Sequence, residues 1–199
     1  MNYHKKLLEI ISSLDYKPSL LLHSCCGPCS TQVLSFLAPY FNITVFYYNP
    51  NIEPEEEYLK RKNEQIRFIK EFDANIKLLD CDYDNLEFKR VTKGLENIKE
   101  GGARCPVCFM LRMEKTASVA KENNFEYFGT TLTVSPYKNS KQINLLGSVL
   151  ENRYNIKYLY SDFKKEDGYK KSIILSKEYN LYRQDYCGCM YGRDNNGND

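Results

Sequence analysis

No tryptophan occurs among the 199 residues, and no uninterrupted apolar run approaches the ~20 residues that a membrane-spanning helix requires. The opening stretch MNYHKKLLEIISSL mixes charged with apolar residues and lacks the apolar core of a secretory signal. The expected compartment is therefore the cytoplasm, with no membrane partner, and a structural disulfide framework is not expected there. Net charge is small, +2 with a pI near 8.0. The domain-wide basic excess of a general nucleic-acid binder is missing, so any such contact must be local. Repeats and low-complexity tracts are absent ahead of the polar ending Arg193–Asp199. Also missing is a glycine-rich loop to cradle phosphate after the first predicted strand, which argues against a nucleotide-dependent sulfur transferase.

What the chain has instead is clustered sulfur. Seven of its eight cysteines fall into Cys25-Cys26-Gly27-Pro28-Cys29, Cys105-Pro106-Val107-Cys108 and Cys187-Gly188-Cys189; the eighth, Cys81, stands alone and reads as a small buried hydrophobe. Long intervals separate the clusters, so only a folded tertiary structure can join them. A 42% hydrophobic composition supports one core without disulfide staples, leaving the thiols free for chemistry. The expected organisation is a single domain over 1–192 and a frayed tail over 193–199.

Apolar periodicity predicts a helix over Asn2 to Leu14, a buried strand Ser19–His23, and a helix from Ser30 to Ala38. A strand Ile43–Tyr48 precedes a long helix opened by Pro54-Glu55-Glu56-Glu57 and ending at Phe72. Then come a strand Ile76–Asp80, helices Asn85–Asn97 and Pro106–Asn123, a strand Tyr127–Thr130, a helix Ser140–Tyr154 and a strand Lys157–Tyr160. Alternating strands and helices predict an α/β fold with a parallel sheet. The first cysteine loop then lies beyond the carboxyl end of a strand, where doubly wound sheets bind ligands. Cys105 and Cys108 open a helix, whose positive end favours thiolates.

A structural zinc site takes paired Cys-x2-Cys knuckles. Cys105 and Cys108 make one, but the adjacent Cys25 and Cys26 fit around an iron–sulfur cube more easily than around one small ion. The reading is four-cysteine [4Fe-4S] ligation, with zinc as the alternative because all-cysteine donors do not choose between the metals. One cluster consumes four thiols; three remain for a second metal or a dithiol couple. Cys187-Gly188-Cys189 suits either a strained small-ring disulfide or bidentate binding of one ion.

The ordered motifs resemble the QueH-type epoxyqueuosine reductases. They are Leu22-His23-Ser24-Cys25-Cys26-Gly27-Pro28-Cys29-Ser30, Tyr48-Asn49-Pro50-Asn51-Ile52, the segment Arg104 to Arg112, Thr130-Thr131-Leu132, Ser135-Pro136-Tyr137-Lys138-Asn139, Asp162 to Lys165 with Asp167-Gly168-Tyr169, and Leu181 to Cys189. The resemblance implies one α/β domain similar to the adenine-nucleotide alpha-hydrolase (HUP/Rossmann-like) fold, a [4Fe-4S] cluster and an adjacent iron ion. It implies cobalamin-independent reduction of the epoxide of epoxyqueuosine in a tRNA anticodon, the last step of queuosine formation, with electrons from a low-potential donor. By motif, Cys25, Cys26, Cys105 and Cys108 would hold the cluster, and Cys29, Cys187 and Cys189 a second iron or a redox dithiol; some relatives have Asp at the position of Cys29.

Proton donors for that reaction would come from Tyr137, Lys138, Asp185 or Tyr186. Arg104, Arg112 and Arg183, beside the cysteine clusters, are candidate phosphate contacts, and one of the runs Lys60-Arg61-Lys62, Lys164-Lys165 and Lys170-Lys171 is expected to meet RNA. His23 would tune the cluster, bind phosphate or serve as a hydrogen-bonded structural histidine. A heterodisulfide-reductase-like subunit and a non-enzymatic zinc module that binds RNA remain rival readings.

Overall fold

Leu20, Leu21 and Leu22 are fully buried in succession, as befits a central parallel strand covered on both faces. They belong to β1 (Ser19–His23), which pairs in parallel with β2 (Asn42–Phe46) on one side and β4 (Tyr127–Thr130) on the other; β3 (Lys77–Leu79) and β5 (Lys157–Tyr158) complete a five-stranded sheet of order β3-β2-β1-β4-β5. This is a computed structural model describing residues 1–72 and 75–195, with side chains through 192. The alternation of the pleat splits the core: Leu20 and Leu22 pack with Val33, Leu34 and Phe68 on one face, while Leu21 packs with Met113, Phe128 and Ile143 on the other.

The helices are α1 (Tyr3–Ser12), α2 (Gly27–Leu37), α3 (Glu55–Phe72), α4 (Asn85–Val91), α5 (Arg104–Glu122), α6 (Ser140–Tyr154), α7 (Gly168–Glu178) and α8 (Met190–Asn195). Among the described residues, no helix is long and apolar enough to cross a membrane. Several expected bounds shift: the first helix ends at Ser12 rather than Leu14, and the second strand at Phe46 rather than Tyr48. The second helix starts at Gly27 rather than Ser30 because Pro28 suits a first turn, whose N–H groups have no partner in any case. The helix expected to reach Asn97 stops at Val91, where Thr92 caps it and its hydroxyl donates to Phe88 O at 2.7 Å. The last strand ends at Tyr158 rather than Tyr160. Of the tail, 193–195 continue α8 and 196–199 lie outside the described residues.

Helix α7 has no counterpart among the sequence expectations. It packs against α2, and its start requires glycine: a Cβ on Gly168 would lie 1.8 Å from Phe163 O. Gly168→Ala is expected to destabilise the protein by about 1–3 kcal/mol or more, the cost of overpacking against something that cannot yield. A urea midpoint equal to wild type would refute that.

Between β1 and β4 the connections diverge to opposite faces of the sheet, which opens a crevice beyond the carboxyl ends of these two strands. The loops after His23 and Thr130 meet there.

Candidate metal centre

After β1 the chain turns through Ser24, Cys25 and Cys26 into α2. The turn is held from below: the hydroxyls of Ser24 and Ser30 donate to Gln65 Oε1 at 2.6 and 2.7 Å, and Asn49 Nδ2 donates to Ser24 O at 2.8 Å. Cys26 caps α2 with an extended backbone and Cys29 lies in its first turn, so both sulfurs sit at the positive end of an 11-residue helix. The Sγ atoms of Cys25, Cys26 and Cys29 all lie within 4.8 Å of one another. Cys26 and Cys29 hydrogen-bond Cys25 and hold its thiol well below the ordinary cysteine value, while the same contact pushes Cys26 up to about 12 and Cys29 up as well.

The second pair opens α5. Arg104 fixes the preceding loop by donating to Leu95 O and Glu96 O, both at 3.0 Å, and to Ile98 O. Gly101 N–H donates to Cys105 Sγ at 3.2 Å. Burial raises the Cys105 thiol and pushes Cys108 up to about 12. Cys108 packs with Phe88 and Cys189.

Cys187 and Cys189 arrive on a segment strapped to α3. Arg67 donates to Tyr179 O and Asn180 O, both at 3.0 Å, and Glu64 accepts from Tyr182 N–H at 2.7 Å. Further on, Tyr186 Oη donates to Glu53 O at 3.1 Å and Glu53 N–H donates to Gly188 O at 2.9 Å. Gly188 has φ 101°, and a Cβ there would lie 2.8 Å from Ile52 Cγ1 and 3.0 Å from Arg61 Nη1; only glycine carries the two cysteines past this point. Glu64→Ala should loosen the strap, lowering the melting temperature and slowing turnover. The hydrogen bond from Arg67 holds the Glu64 carboxyl below its ordinary value, so its contribution is present above the ordinary carboxylate range and fades as pH falls through the lowered value. A melting-temperature deficit of Glu64→Ala that persisted unchanged to strongly acidic pH would overturn that attribution.

Two adjoining cavities result. One, of about 140 Å³, is lined by Cys105, Cys108, Cys187 and Cys189; the other, of about 610 Å³, by Cys25, Cys29 and Cys187. Arg112, Tyr137 and Lys138 line both. Arg112 is 1% exposed, donates from Nε to Cys108 O at 3.3 Å, and leaves Nη2 without a hydrogen-bond partner.

Three comparisons with known proteins bear on this geometry. The family model described as "Epoxyqueuosine reductase QueH" matches residues 20–195. Proteins of that name from Staphylococcus epidermidis and Streptococcus pyogenes are 44% and 46% identical, each aligned over 100% of this chain and over 87% and 81% of the relative. This chain belongs to the QueH family of epoxyqueuosine reductases. A relative from Thermotoga maritima is 34% identical over 87% of this chain and 89% of its own. Among solved structures, the U34-tRNA thiolase NcsA from Methanococcus maripaludis with its [4Fe-4S] cluster superposes with a TM-score of 0.59 at 16% identity, covering 95% of this chain and 66% of that one. The two proteins share a fold, here a five-stranded parallel sheet with flanking helices, as the alternation of strands and helices predicts.

In this QueH chain the expected ligands are drawn to one pole of the sheet, but grouped differently from their expected roles. Cys29 stands beside Cys25 and Cys26, whereas Cys105 and Cys108 share the smaller cavity with Cys187 and Cys189. Lys138 is half-buried; burial works against its charge, yet the sulfurs of Cys187, Cys25 and Cys29 raise its pKa above the ordinary lysine value. Tyr137, 80% exposed, and the exposed Asp185 stand at the rim of the larger cavity. Tyr186 hydrogen-bonds backbone, as above.

Of the arginines, Arg104 is committed to carbonyls and Arg112 is buried, while Arg183 is exposed at the larger cavity with its guanidinium 5.5 Å from the Tyr169 ring. In the lysine runs, Arg61 is buried, Lys62 pairs with Asp80 at 2.7 Å and Lys170 with Asp167 at 3.0 Å. His23 is a structural histidine: Nε2 donates to Tyr48 O at 3.1 Å, Nδ1 accepts from Thr130 at 3.0 Å, and burial first of all lowers its pKa to about 3. Cys81 donates from Sγ to Tyr47 O at 3.1 Å.

Sequence reasoning passed over Gln65 as the floor of the loop, and Thr131, whose hydroxyl lies 3.6 Å from Cys25 Sγ. It offered Arg61 only as part of a run that could meet RNA, whereas the residue accompanies the closing segment at 4.7 Å from the Tyr186 ring and ion-pairs with Glu57 at 2.6 Å. The Glu57–Arg61 spacing of i,i+4 was the available signal.

Proposed function

We propose that this chain reduces the epoxide of epoxyqueuosine in a tRNA anticodon to the alkene of queuosine, taking two electrons from a low-potential donor and two protons and releasing the oxygen as water. The observation that carries the reading is the convergence of six thiols on two adjoining cavities, with the Cys26 sulfur beside those of Cys25 and Cys29, around a buried guanidinium with an unpartnered nitrogen. An all-sulfur donor set suits iron–sulfur ligation, and the unpaired cation suits the negative charge that several thiolates around a cluster would carry. A [4Fe-4S] cluster on Cys25, Cys26, Cys105 and Cys108, with an iron at Cys29, Cys187 and Cys189, would supply single electrons and a Lewis acid.

The chain's own residues supply the rest. Lys138 Nζ, whose charged form the neighbouring sulfurs favour, would give a proton to the oxygen as the epoxide opens. Arg112 offsets negative charge between the cavities. Arg183 offers an exposed cation for an anticodon phosphate. Asp185 has no hydrogen bond or ion pair to Arg183 or Lys138, which leaves its carboxylate for donors on the substrate.

A specific observation favours a second partition of the ligands. The 4.8 Å trio of Cys25, Cys26 and Cys29 suits a separate ion, and the four cysteines of the smaller cavity suit a cluster. A zinc module that merely binds RNA is separated by metal analysis of anaerobically purified protein, which should find iron and sulfide.

Reduced, iron-replete protein incubated without cobalamin with epoxyqueuosine-containing tRNA should yield queuosine on nucleoside digestion and mass spectrometry. Absence of product with a competent donor would defeat the proposal. Binding should weaken as salt rises, because phosphate contacts release counterions.

A further inference from the structure

Tyr137 is 80% exposed, yet it lines both cavities of the sulfur site. Exposure of so large a ring forgoes burial that comparable side chains in this protein obtain. Nor, among the described residues, does it stack on another aromatic ring, unlike Tyr3 on Tyr160 or Phe46 on Tyr48. The turn presenting it is held on both sides. Lys138 N–H donates to Ser135 O at 3.3 Å, Lys164 Nζ donates to Lys138 O at 2.9 Å, and Asn139 caps α6 by accepting from Gln142 N–H at 3.2 Å. A rigid backbone thus carries an uncovered ring at the mouth of a cavity that ends in cysteine sulfurs. The larger cavity, about 610 Å³, is also lined by Tyr169 and the cation Arg183.

We propose that Tyr137 is a stacking platform for a nucleobase of the RNA substrate, positioning the anticodon so that the modified base reaches the sulfur site. The proposal rests on the reading that an RNA anticodon is the substrate. Single-stranded RNA is recognised chiefly by stacking unpaired bases on aromatic rings and guanidinium planes, and a base in the anticodon loop must leave its neighbours to enter a cavity. Stacking uses the face of the ring and not its hydroxyl, which separates this role from proton donation.

The experiment measures affinity for an anticodon stem-loop containing epoxyqueuosine, by fluorescence anisotropy, for iron-replete wild type, Tyr137→Phe and Tyr137→Ala. Loss of a base–aromatic stack predicts roughly 5- to 150-fold weaker binding for Tyr137→Ala. Tyr137→Phe should bind within about twofold of wild type, since the ring face survives. The dependence of affinity on salt should be the same for all three, because no phosphate contact is removed. Melting temperature and iron content should not change, as the ring packs on little. Wild-type affinity in Tyr137→Ala overturns the stacking alone. So does a Tyr137→Phe protein that binds as weakly as Tyr137→Ala, which would mark the hydroxyl and not the ring face as the contact. Failure of the wild type to bind the stem-loop overturns the RNA reading and the stacking with it.

Discussion

Serine at Cys105 or Cys108 is expected to strip the iron–sulfur absorption from anaerobically purified protein and abolish turnover, whichever way the remaining thiols divide. Both cysteines lie in the first turn and a half of α5 and line the smaller cavity, so each partition of the ligands uses them. Loss of supporting residues around a metal costs about 10–100-fold in metal affinity, and removal of a ligand should exceed that. Cys81→Ser is the control: its Sγ–H donates only to Tyr47 O, a hydroxyl can replace it, and iron content should match wild type. The partitions separate at the other thiols. With the cluster on Cys25, Cys26, Cys105 and Cys108, Cys187→Ser and Cys189→Ser keep full cluster absorption while turnover disappears. If those two lose the cluster and Cys25→Ser keeps it, the set is Cys105, Cys108, Cys187 and Cys189, with the trio left for a separate ion. A full cluster in both Cys105→Ser and Cys108→Ser would sink both arrangements.

That ambiguity marks where sequence stops short. Leu20-Leu21-Leu22 followed by a cysteine loop was enough to place β1 and to put that loop at the carboxyl end of a parallel sheet, because an uninterrupted apolar run bounded by turn residues has few other uses. Spacing along one helix was also informative: Cys105, Cys108 and Arg112 share a face of α5 at i, i+3 and i+7. Tertiary depth was not. Arg112 reads in sequence as a phosphate contact, and only packing shows it 1% exposed. The grouping of Cys29 with Cys25 and Cys26 depends on α2 beginning at Gly27, a shift of three residues that carries Cys29 into the first helical turn. Helix α7 was silent because Ile173, Ile174 and Leu175 are adjacent and give no helical stripe; the residue before it, Asp167, has φ 59° instead of an ordinary capping conformation.

Arg112→Met should separate charge compensation from packing. Methionine is apolar and unbranched, two bonds shorter than arginine, and adapts to irregular surroundings. In metal-free protein a buried guanidinium with Nη2 unpartnered pays desolvation without full return, so the variant's apo form should be at least as stable as the wild-type apo form. The neighbouring sulfurs of Cys108, Cys187, Cys25 and Cys105 raise the arginine's pKa against the opposing effect of burial, the larger single influence. Once these sulfurs carry full negative charge around metal, the cation becomes their compensation. A hydrogen bond to a charged group is worth about 1.5–3 kcal/mol, which predicts iron affinity and turnover lower by roughly ten- to over a hundredfold. Urea unfolding with and without iron, together with iron content after dialysis against a chelator, reads both sides. Equal destabilisation of the iron-free and iron-loaded proteins would show that Arg112 only fills space beneath Cys108, and would remove the main electrostatic support for an anionic occupant of these cavities.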